Sequence, residues 1–194
     1  MTGMGAAADV VRYTYAEYLA LERRTDARYE FFDGEVFLMA GGTPRHAKVI
    51  SNVNVAVGAA LGDQPCQAYS ADLKIRIPAT GLSTYPDLVI CGPLERHPED
   101  RNAATNPTLI VEVLSESTEV WDRTRKFFHY QQIPTLRHYL LVSHDDVRVE
   151  HYERAEAGAW TYRVYGPGDT MRLSVLDIAV PVDALFRNLP DDTP

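Results

Sequence analysis

A carboxylate in the middle of an apolar segment is the feature of this sequence best placed to do chemistry. Glu112 lies within residues 109–114, whose other members are all Leu, Ile or Val. The strand predicted over 108–114 is therefore apolar on both faces except at Glu112, a pattern typical of a central strand. A buried, unpaired carboxylate is costly, so Glu112 must be protonated, paired with a cation or bound to a metal. Its strand neighbours supply no partner, so the partner must come from elsewhere in the fold.

Asp87 is the natural companion of Glu112. It follows Pro86 near the start of a second strand, predicted over 85–91. If the two strands are neighbours, both carboxylates can converge on one Mg²⁺, with waters and phosphate oxygens as the remaining ligands. For Asp87 alone, a salt bridge to a nearby Arg or Lys explains the residue equally well.

A helix predicted over 118–132 follows the Glu112 strand and carries Lys126. A lysine beside a metal and a phosphate can stabilise developing charge or orient the attacking water. The alternative is a solvated surface pair, because Asp122 and Lys126 have i, i+4 spacing. The buried side of this helix is expected to be its apolar one, formed by Val120, Trp121, Phe127 and Phe128.

Two earlier elements must position further polar side chains. A β-hairpin is predicted over 29–39 around Asp33-Gly34, which places Glu30 among aromatic residues on one face. A helix predicted over 43–61 places His46 on its inward stripe. The order of all the elements predicts an α/β (α+β) fold, with a mixed β-sheet flanked by helices. A second hairpin, over 147–165, extends this sheet at the C-terminal end.

Composition narrows the class of protein. The 194 residues carry a formal charge of −8 and are 45% hydrophobic, which is typical of a globular chain. We expect a flexible tail over 1–12 and a single domain over 13–194. No apolar run is long enough to cross a membrane. The two cysteines, which form no CxxC motif, fit a cytoplasmic location. The negative charge argues against a nucleic-acid partner, although Arg123, Arg125 and Lys126 provide local positive charge.

Several motifs together resemble the Uma-two family of restriction endonucleases, a branch of the PD-(D/E)XK nuclease superfamily. The resemblance spans roughly residues 13–187 and implies a restriction endonuclease-like fold and Mg²⁺-dependent hydrolysis of phosphodiester bonds. The matching stretches are residues 14–19, 29–35, 44–46, 86–89, 111–115, 117–118 and 122–130.

The family resemblance also implies roles for individual residues. Asp87 matches the aspartate of the Pro-Asp motif, and Glu112 matches the first acidic position of (D/E)XK. The superfamily lysine would fall at Leu114, so the role is expected to pass to Lys126 on the following helix. Glu30 and His46 also match recurrent positions and are candidates for the same site. Their alternatives are an exposed hairpin glutamate and a helix-start histidine bonded to a backbone carbonyl.

The resulting hypothesis is an endonuclease that acts on DNA. Asp87, Glu112 and the backbone carbonyl of Val113 would hold Mg²⁺, with Mn²⁺ as a substitute, while Lys126 would act on the attacking water or the developing charge. A homodimer is expected, because double-strand cleavage with one site per chain favours two-fold symmetry. Two alternatives stay open: a non-catalytic nucleic-acid-binding or assembly module that keeps the fold, and a metal-dependent phosphoesterase acting on small phosphates.

Overall fold

The computed structural model describes residues 11–39 and 41–190. Within these ranges, no helix is long and apolar enough to cross a membrane. The helices are α1 (Tyr15–Thr25), α2 (Pro44–Leu61), α3 (Glu119–Trp121) and α4 (Phe127–Tyr130), with a π-helical turn at Asp122–Lys126 between the last two and 3₁₀ turns at Ser174–Leu176 and Val182–Phe186. The strands are β1 (Tyr29–Phe32), β2 (Glu35–Leu38), β3 (Gln67–Ser70), β4 (Lys74–Ile77), β5 (Leu82–Thr84), β6 (Leu88–Cys91), β7 (Arg96–His97), β8 (Asp100–Ala104), β9 (Pro107–Val113), β10 (His138–Val142), β11 (Val149–Arg154), β12 (Trp160–Tyr165), β13 (Thr170–Leu173) and β14 (Ile178–Pro181).

These strands form two six-stranded sheets and a two-stranded ribbon. Sheet 1 has the order β2-β1-β5-β4-β8-β7, sheet 2 has the order β12-β11-β10-β9-β6-β3, and β13 pairs with β14. Each large sheet contains one parallel pair, β4–β8 or β9–β10, among antiparallel ones. The mixed α/β class predicted from the sequence is therefore confirmed, with the strands divided between two sheets.

The two predicted hairpins are both present. In β1–β2 the register pairs Phe32 with Glu35 and Glu30 with Phe37, as the Asp33-Gly34 turn predicts. Gly34 has a φ of 80°, a backbone conformation that glycine adopts readily. Arg12 forms an ion pair with Asp33 at 3.0 Å. The first ten residues of the predicted tail lie outside the described residues. The second hairpin, β11–β12, forms one edge of sheet 2.

Strand β9 has the central position that its apolar sequence predicts. It pairs antiparallel with β6 and parallel with β10, and six of its seven residues are buried. On one face, Leu109 and Val111 belong to a core that also contains residues of α2. On the other face, Ile110 packs in a second core with Tyr130 and Tyr139. Glu112 has the strand parity of Ile110 and therefore points to the second core.

The alternation of apolar and polar residues over 66–77 predicts a single strand, but this segment forms two strands. A turn at residues 71–73 divides it into β3, which joins sheet 2, and β4, which joins sheet 1. The alternation of apolar and polar residues continues through the turn without a break, with Ala71 and Leu73 at the apolar positions. The pattern alone therefore gives no sign of the change of sheet.

The helix predicted over 118–132 also differs from its prediction, in regularity and in orientation. It spans Glu119–Tyr130 but contains the π-helical turn, and its buried residues include Asp122 and Lys126. Val120 and Phe128, expected on the buried side, are 75% and 59% exposed. The polar side faces inward because its charged groups find partners there, which offsets the cost of burying them.

A buried histidine pair in sheet 2 gives a first testable prediction. His138 and His151 are almost fully buried, and Nδ1 of the first lies 3.0 Å from Nε2 of the second. Burial lowers the pKa of each imidazole to about 4. Because the folded-state pKa lies below the ordinary value of about 6.5, the neutral pair stabilises the fold above pH 6.5, and this stabilisation is lost as the pH falls toward 4.

We expect the free energy of unfolding to fall by about 3 kcal/mol for one such histidine over this pH range. The double variant His138→Phe/His151→Phe replaces both partners by apolar rings, so neither is left unsatisfied. Urea unfolding at pH 4, 5, 6 and 7 should show a shallower loss for the double variant than for the wild type. Parallel curves for the two proteins would show that the pair does not control acid stability.

Candidate active site

All the residues singled out for chemistry line one cleft of about 840 Å³. Its walls come from the β1–β2 hairpin, the start of α2, the segment from Ser115 to Lys126, and the adjoining ends of β6 and β9. The predicted residues among its lining are Glu30, His46, Asp87, Glu112, Val113 and Lys126. The structure therefore brings together side chains that are up to 96 positions apart in the sequence.

Asp87 and Glu112 are neighbours because of the register between β6 and β9. Leu88 pairs with Val111 in this antiparallel ladder, so the preceding residue, Asp87, lies beside Glu112. The backbone N–H of Val113 donates a hydrogen bond of 2.7 Å to Oδ2 of Asp87. The expected adjacency of the two strands is thus confirmed. The hydrogen bond from Val113 on β9 holds the side chain of Asp87, which directly precedes β6.

Lys126 lies at the centre of a group of carboxylates. Its Nζ is 3.0 Å from Oε1 of Glu30, 3.0 Å from Oε1 of Glu112 and 3.3 Å from Oδ1 of Asp122. The lysine is 5% exposed, so these contacts are shielded from solvent. The π-helical turn contains both Asp122 and Lys126 and therefore carries two of the four charges. Such turns are frequent at functional sites.

The electrostatics of the cluster follow from one cation among several acids. Burial raises the pKa of Glu112 to about 8, against the opposing effect of Lys126. Burial also raises the pKa of Asp87 above its ordinary value. For Lys126, burial alone would lower the pKa, but Glu112, Glu30 and Asp122 raise it well above the ordinary value. The ammonium is therefore held charged, but it does not keep every neighbouring carboxyl group ionised at neutral pH.

His46 contacts the site through the backbone rather than through a carboxylate. It lies in the first turn of α2, where the Thr43 side chain accepts a hydrogen bond from its backbone N–H. Its ring Nε2 lies 2.8 Å from the carbonyl oxygen of Val113 and donates to it. This is the carbonyl contact considered from sequence as the alternative for His46. The acceptor, however, is the same oxygen proposed as a metal ligand, so His46 belongs to the site.

The structure adds three residues that the sequence did not identify as members of the cluster. Asp122 was expected on the solvated side but is 2% exposed and next to Lys126. Tyr130 donates a hydrogen bond of 2.6 Å to Oε1 of Glu112. Thr84 donates to Oε1 of Glu30. Of these three contacts, the sequence gives a signal only for the one between Asp122 and Lys126, which have i, i+4 spacing on a helix.

The donor set fits a hard divalent cation such as Mg²⁺. The hydrogen bonds described above reach Oε1 of Glu112 and Oδ2 of Asp87, which leaves the second oxygen of each carboxylate for another ligand. The described residues contain no group of three or more His, Cys, Asp or Glu side chains arranged to enclose a metal. Mg²⁺ does not require one, since it is usually bound by one or two carboxylates and keeps several waters.

Comparison with known proteins identifies the family of this chain. The sequence profile of the Uma2 family, described as "Putative restriction endonuclease", matches residues 15–183. The chain belongs to the Uma2 family. Two similar proteins come from Synechocystis, and both are named as uncharacterized proteins. One is 36% identical over 89% of this chain and 90% of its own, and the other is 32% identical over 76% and 84%.

A solved structure supports the fold of this Uma2 chain. It is titled as the crystal structure of a putative nuclease from Anabaena variabilis and is similar with a TM-score of 0.72. The match covers 90% of this chain and 97% of that one, at 17% sequence identity. The nuclease-like fold expected from the sequence is thereby confirmed.

The Uma2 chain departs from the basic (D/E)XK pattern at Leu114, which is 4% exposed and packs in an apolar core. Lys126, on the helix, places its ammonium 3.0 Å from Oε1 of Glu112. The two positions lie fourteen residues apart in the sequence, and the turn after β9 brings them together. That Lys126 takes the role of the strand lysine stays a prediction.

Proposed function

We propose that this protein is a metal-dependent endonuclease that hydrolyses phosphodiester bonds in DNA. One observation carries the proposal. Four carboxyl groups meet in one cleft with a single buried ammonium, and burial raises the pKa of Glu112 to about 8, so one ammonium does not keep all four ionised at neutral pH. Ionising all four in a buried site is costly unless a further cation enters. Membership of a nuclease family and the nuclease-like fold support the same conclusion.

Three groups would hold Mg²⁺, or Mn²⁺ in its place: the carboxylates of Asp87 and Glu112 and the carbonyl oxygen of Val113. When bound, the ion would polarise the scissile phosphate and lower the pKa of a coordinated water. The oxygen donors in this set suit Mg²⁺ better than softer metals. The hydrogen bond from Val113 N–H to Asp87 fixes the orientation of that carboxylate before any ligand arrives.

Lys126 would act on the reacting phosphate. Its raised pKa keeps the ammonium charged at neutral pH, so it would stabilise the negative charge that develops on the phosphate oxygens and would orient the attacking water. Glu30, which lies on the hairpin, would position Lys126 through the ion pair between them. His46 would position the Val113 carbonyl through its hydrogen bond. Neither residue needs to touch the substrate to fulfil these roles.

The test is a cleavage assay on three substrates: supercoiled plasmid, a labelled oligonucleotide and a small aryl phosphate diester. We expect cutting of the nucleic acids with Mg²⁺ or Mn²⁺, complete loss in excess chelator, and recovery when metal is restored. Hydrolysis of the aryl phosphate alone would favour a phosphoesterase of small substrates and would overturn the endonuclease proposal. Absence of hydrolysis of all three substrates, at several metal concentrations, would favour a non-catalytic module.

A further inference from the structure

The cleft has an apolar wall next to its charged floor. Phe37 and Leu38, at the end of β2, are 50% and 65% exposed, and both line the cleft together with Met39. Phe37 pairs with Glu30 across the hairpin, so the two side chains lie on the same face of the ribbon. Glu30 contacts Lys126, so the exposed ring of Phe37 lies next to a member of the charged cluster.

The helix contributes another aromatic residue to the lining of the cleft. Trp121 is half-buried and immediately precedes Asp122 in the π-helical turn. Its ring lies 6.4 Å from that of His129, which contacts Phe32 of the hairpin at 4.6 Å between ring centroids. Its indole Nε1 is buried and has no hydrogen-bond partner among residues 11–39 and 41–190, so Trp121 contributes ring surface to the cleft rather than an accessible N–H.

The charges of the cleft do not suit the backbone of a DNA duplex. Among the described lining residues, five are acidic and Lys126 is the one Lys or Arg, and it is already paired. Arg123, expected from sequence to provide local positive charge, is paired with Glu119 and Glu150. Duplex recognition depends on several cations that neutralise phosphates. The cleft therefore lacks the usual source of affinity for duplex DNA.

We infer that the cleft takes unpaired nucleotides of single-stranded DNA, whose bases contact Phe37, Leu38 and Trp121 while one phosphate reaches the carboxylate floor. This inference rests on the proposed function and names its substrate class. Unpaired bases expose faces that stack on aromatic side chains, and this stacking contributes affinity that does not come from phosphate contacts. In a duplex the same faces are covered by neighbouring base pairs. The cleft volume of about 840 Å³ is of the size that binds small organic ligands.

The two tryptophans of the chain allow a binding assay that does not depend on catalysis. Trp160 packs against Phe127 and Arg154 outside the cleft, so replacing it should not disturb the cleft. Because the chain has two tryptophans, Trp160→Phe leaves Trp121 as the sole one. This protein is titrated with a 12-nucleotide single strand and with a duplex of the same sequence. Ca²⁺ replaces Mg²⁺, since both are bound by oxygen ligands. We expect the single strand to quench Trp121 fluorescence and to bind at least about 10-fold more tightly than the duplex.

Variants of the apolar wall complete the test. In the Trp160→Phe background, Phe37→Ser should weaken single-strand binding by about 5- to 150-fold, the range expected for losing one stacked base. Leu38→Ser removes apolar contact area without a stacking ring and should weaken binding less. Phe128→Ser is the matched control, because Phe128 is equally exposed but lies outside the lining. Its binding should equal that of the background protein. Equal binding of single strand and duplex, no binding of either, or equal effects of all three substitutions would overturn the inference.

The two proposals fail in distinguishable ways. Metal-dependent cutting of duplex DNA, without preference for single strands and without an effect of Phe37→Ser, would overturn the inference and leave the endonuclease proposal standing. Tight single-strand binding that depends on Phe37 and Leu38, with no cutting under any metal, would support base contacts in the cleft and overturn the catalytic proposal.

Discussion

Replacing Asp87 by Asn or Glu112 by Gln is expected to reduce metal-dependent cleavage of DNA on the order of 10⁴-fold, the scale of losing an essential catalytic group. Each substitution replaces a carboxyl group, which binds metal in its ionised form, by a neutral amide of nearly the same volume. Asn at position 87 retains an oxygen that can accept the hydrogen bond from Val113 N–H. The loss should therefore reflect chemistry rather than folding. Initial rates on a labelled oligonucleotide, with thermal melting of each variant, provide the measurement.

The same assay separates residues that hold the metal from residues that position other groups. Glu30→Gln and His46→Gln should lower the rate by about 10- to 100-fold, because they act through Lys126 and the Val113 carbonyl. If Asp87→Asn and Glu112→Gln retain rates comparable with those of these two variants, the assignment of the metal-holding pair is wrong. A rate that no substitution changes would point to a contaminating nuclease.

The Lys126→Met variant should have the largest effect on stability. Removing one partner of a buried ion pair leaves uncompensated charge and costs about 3–5 kcal/mol. Glu30, Glu112 and Asp122 would all lose their ammonium partner. Because burial raises the pKa of Glu112 to about 8, this carboxyl group is uncharged at pH 5, so the loss should be smaller at pH 5 than at pH 8. Urea unfolding of metal-free protein at both pH values measures this difference, and Mn²⁺ should recover part of the lost stability at pH 8.

Lys74 provides a matched control for this experiment. It is also buried and pairs with two carboxylates, Glu22 at 2.6 Å and Asp100 at 2.7 Å, outside the cleft lining. Lys74→Met should therefore destabilise the fold in a similar way but should not alter metal binding by the folded protein. An equal loss at pH 5 and pH 8 for Lys126→Met, or stability unchanged from the wild type, would contradict the account of the charge cluster.

The sequence was most informative where one residue conflicted with its surroundings. A lone carboxylate in an apolar strand predicted that the strand is central and that Glu112 has a partner from elsewhere in the fold. The position of Asp87 after Pro86, near the start of another strand, predicted that the two carboxylates lie close together. The Asp33-Gly34 turn predicted the hairpin register. These predictions rest on local rules, namely strand alternation and turn type, which a single sequence contains. The candidacy of Glu30, His46 and Lys126 for the site rested instead on the family resemblance.

The features that the sequence did not predict depend on tertiary contacts. Asp122 and Lys126 resemble a solvated surface pair, and Phe128 resembles a core residue, because helical spacing does not show which side faces the sheet. The π-helical turn that contains Asp122 and Lys126 has no signature in residue type. Similarly, the division of residues 66–77 between two sheets depends on strand pairing with distant segments. The homodimer and the cytoplasmic location remain predictions.

Calorimetric titration of Mn²⁺ into metal-free protein tests the central claim most directly, because it does not require the substrate to be known. The wild type should bind Mn²⁺ at a site that is lost in Asp87→Asn and in Glu112→Gln. Binding should release protons at pH 7, since burial raises the pKa of Glu112 to about 8 and a ligand must be deprotonated to bind metal. Lys74→Met, corrected for its folded fraction, should bind as the wild type does. Mn²⁺ binding that persists unchanged in both carboxylate variants, or no binding by the wild type, would contradict the claim that this cleft is a metal-dependent active site.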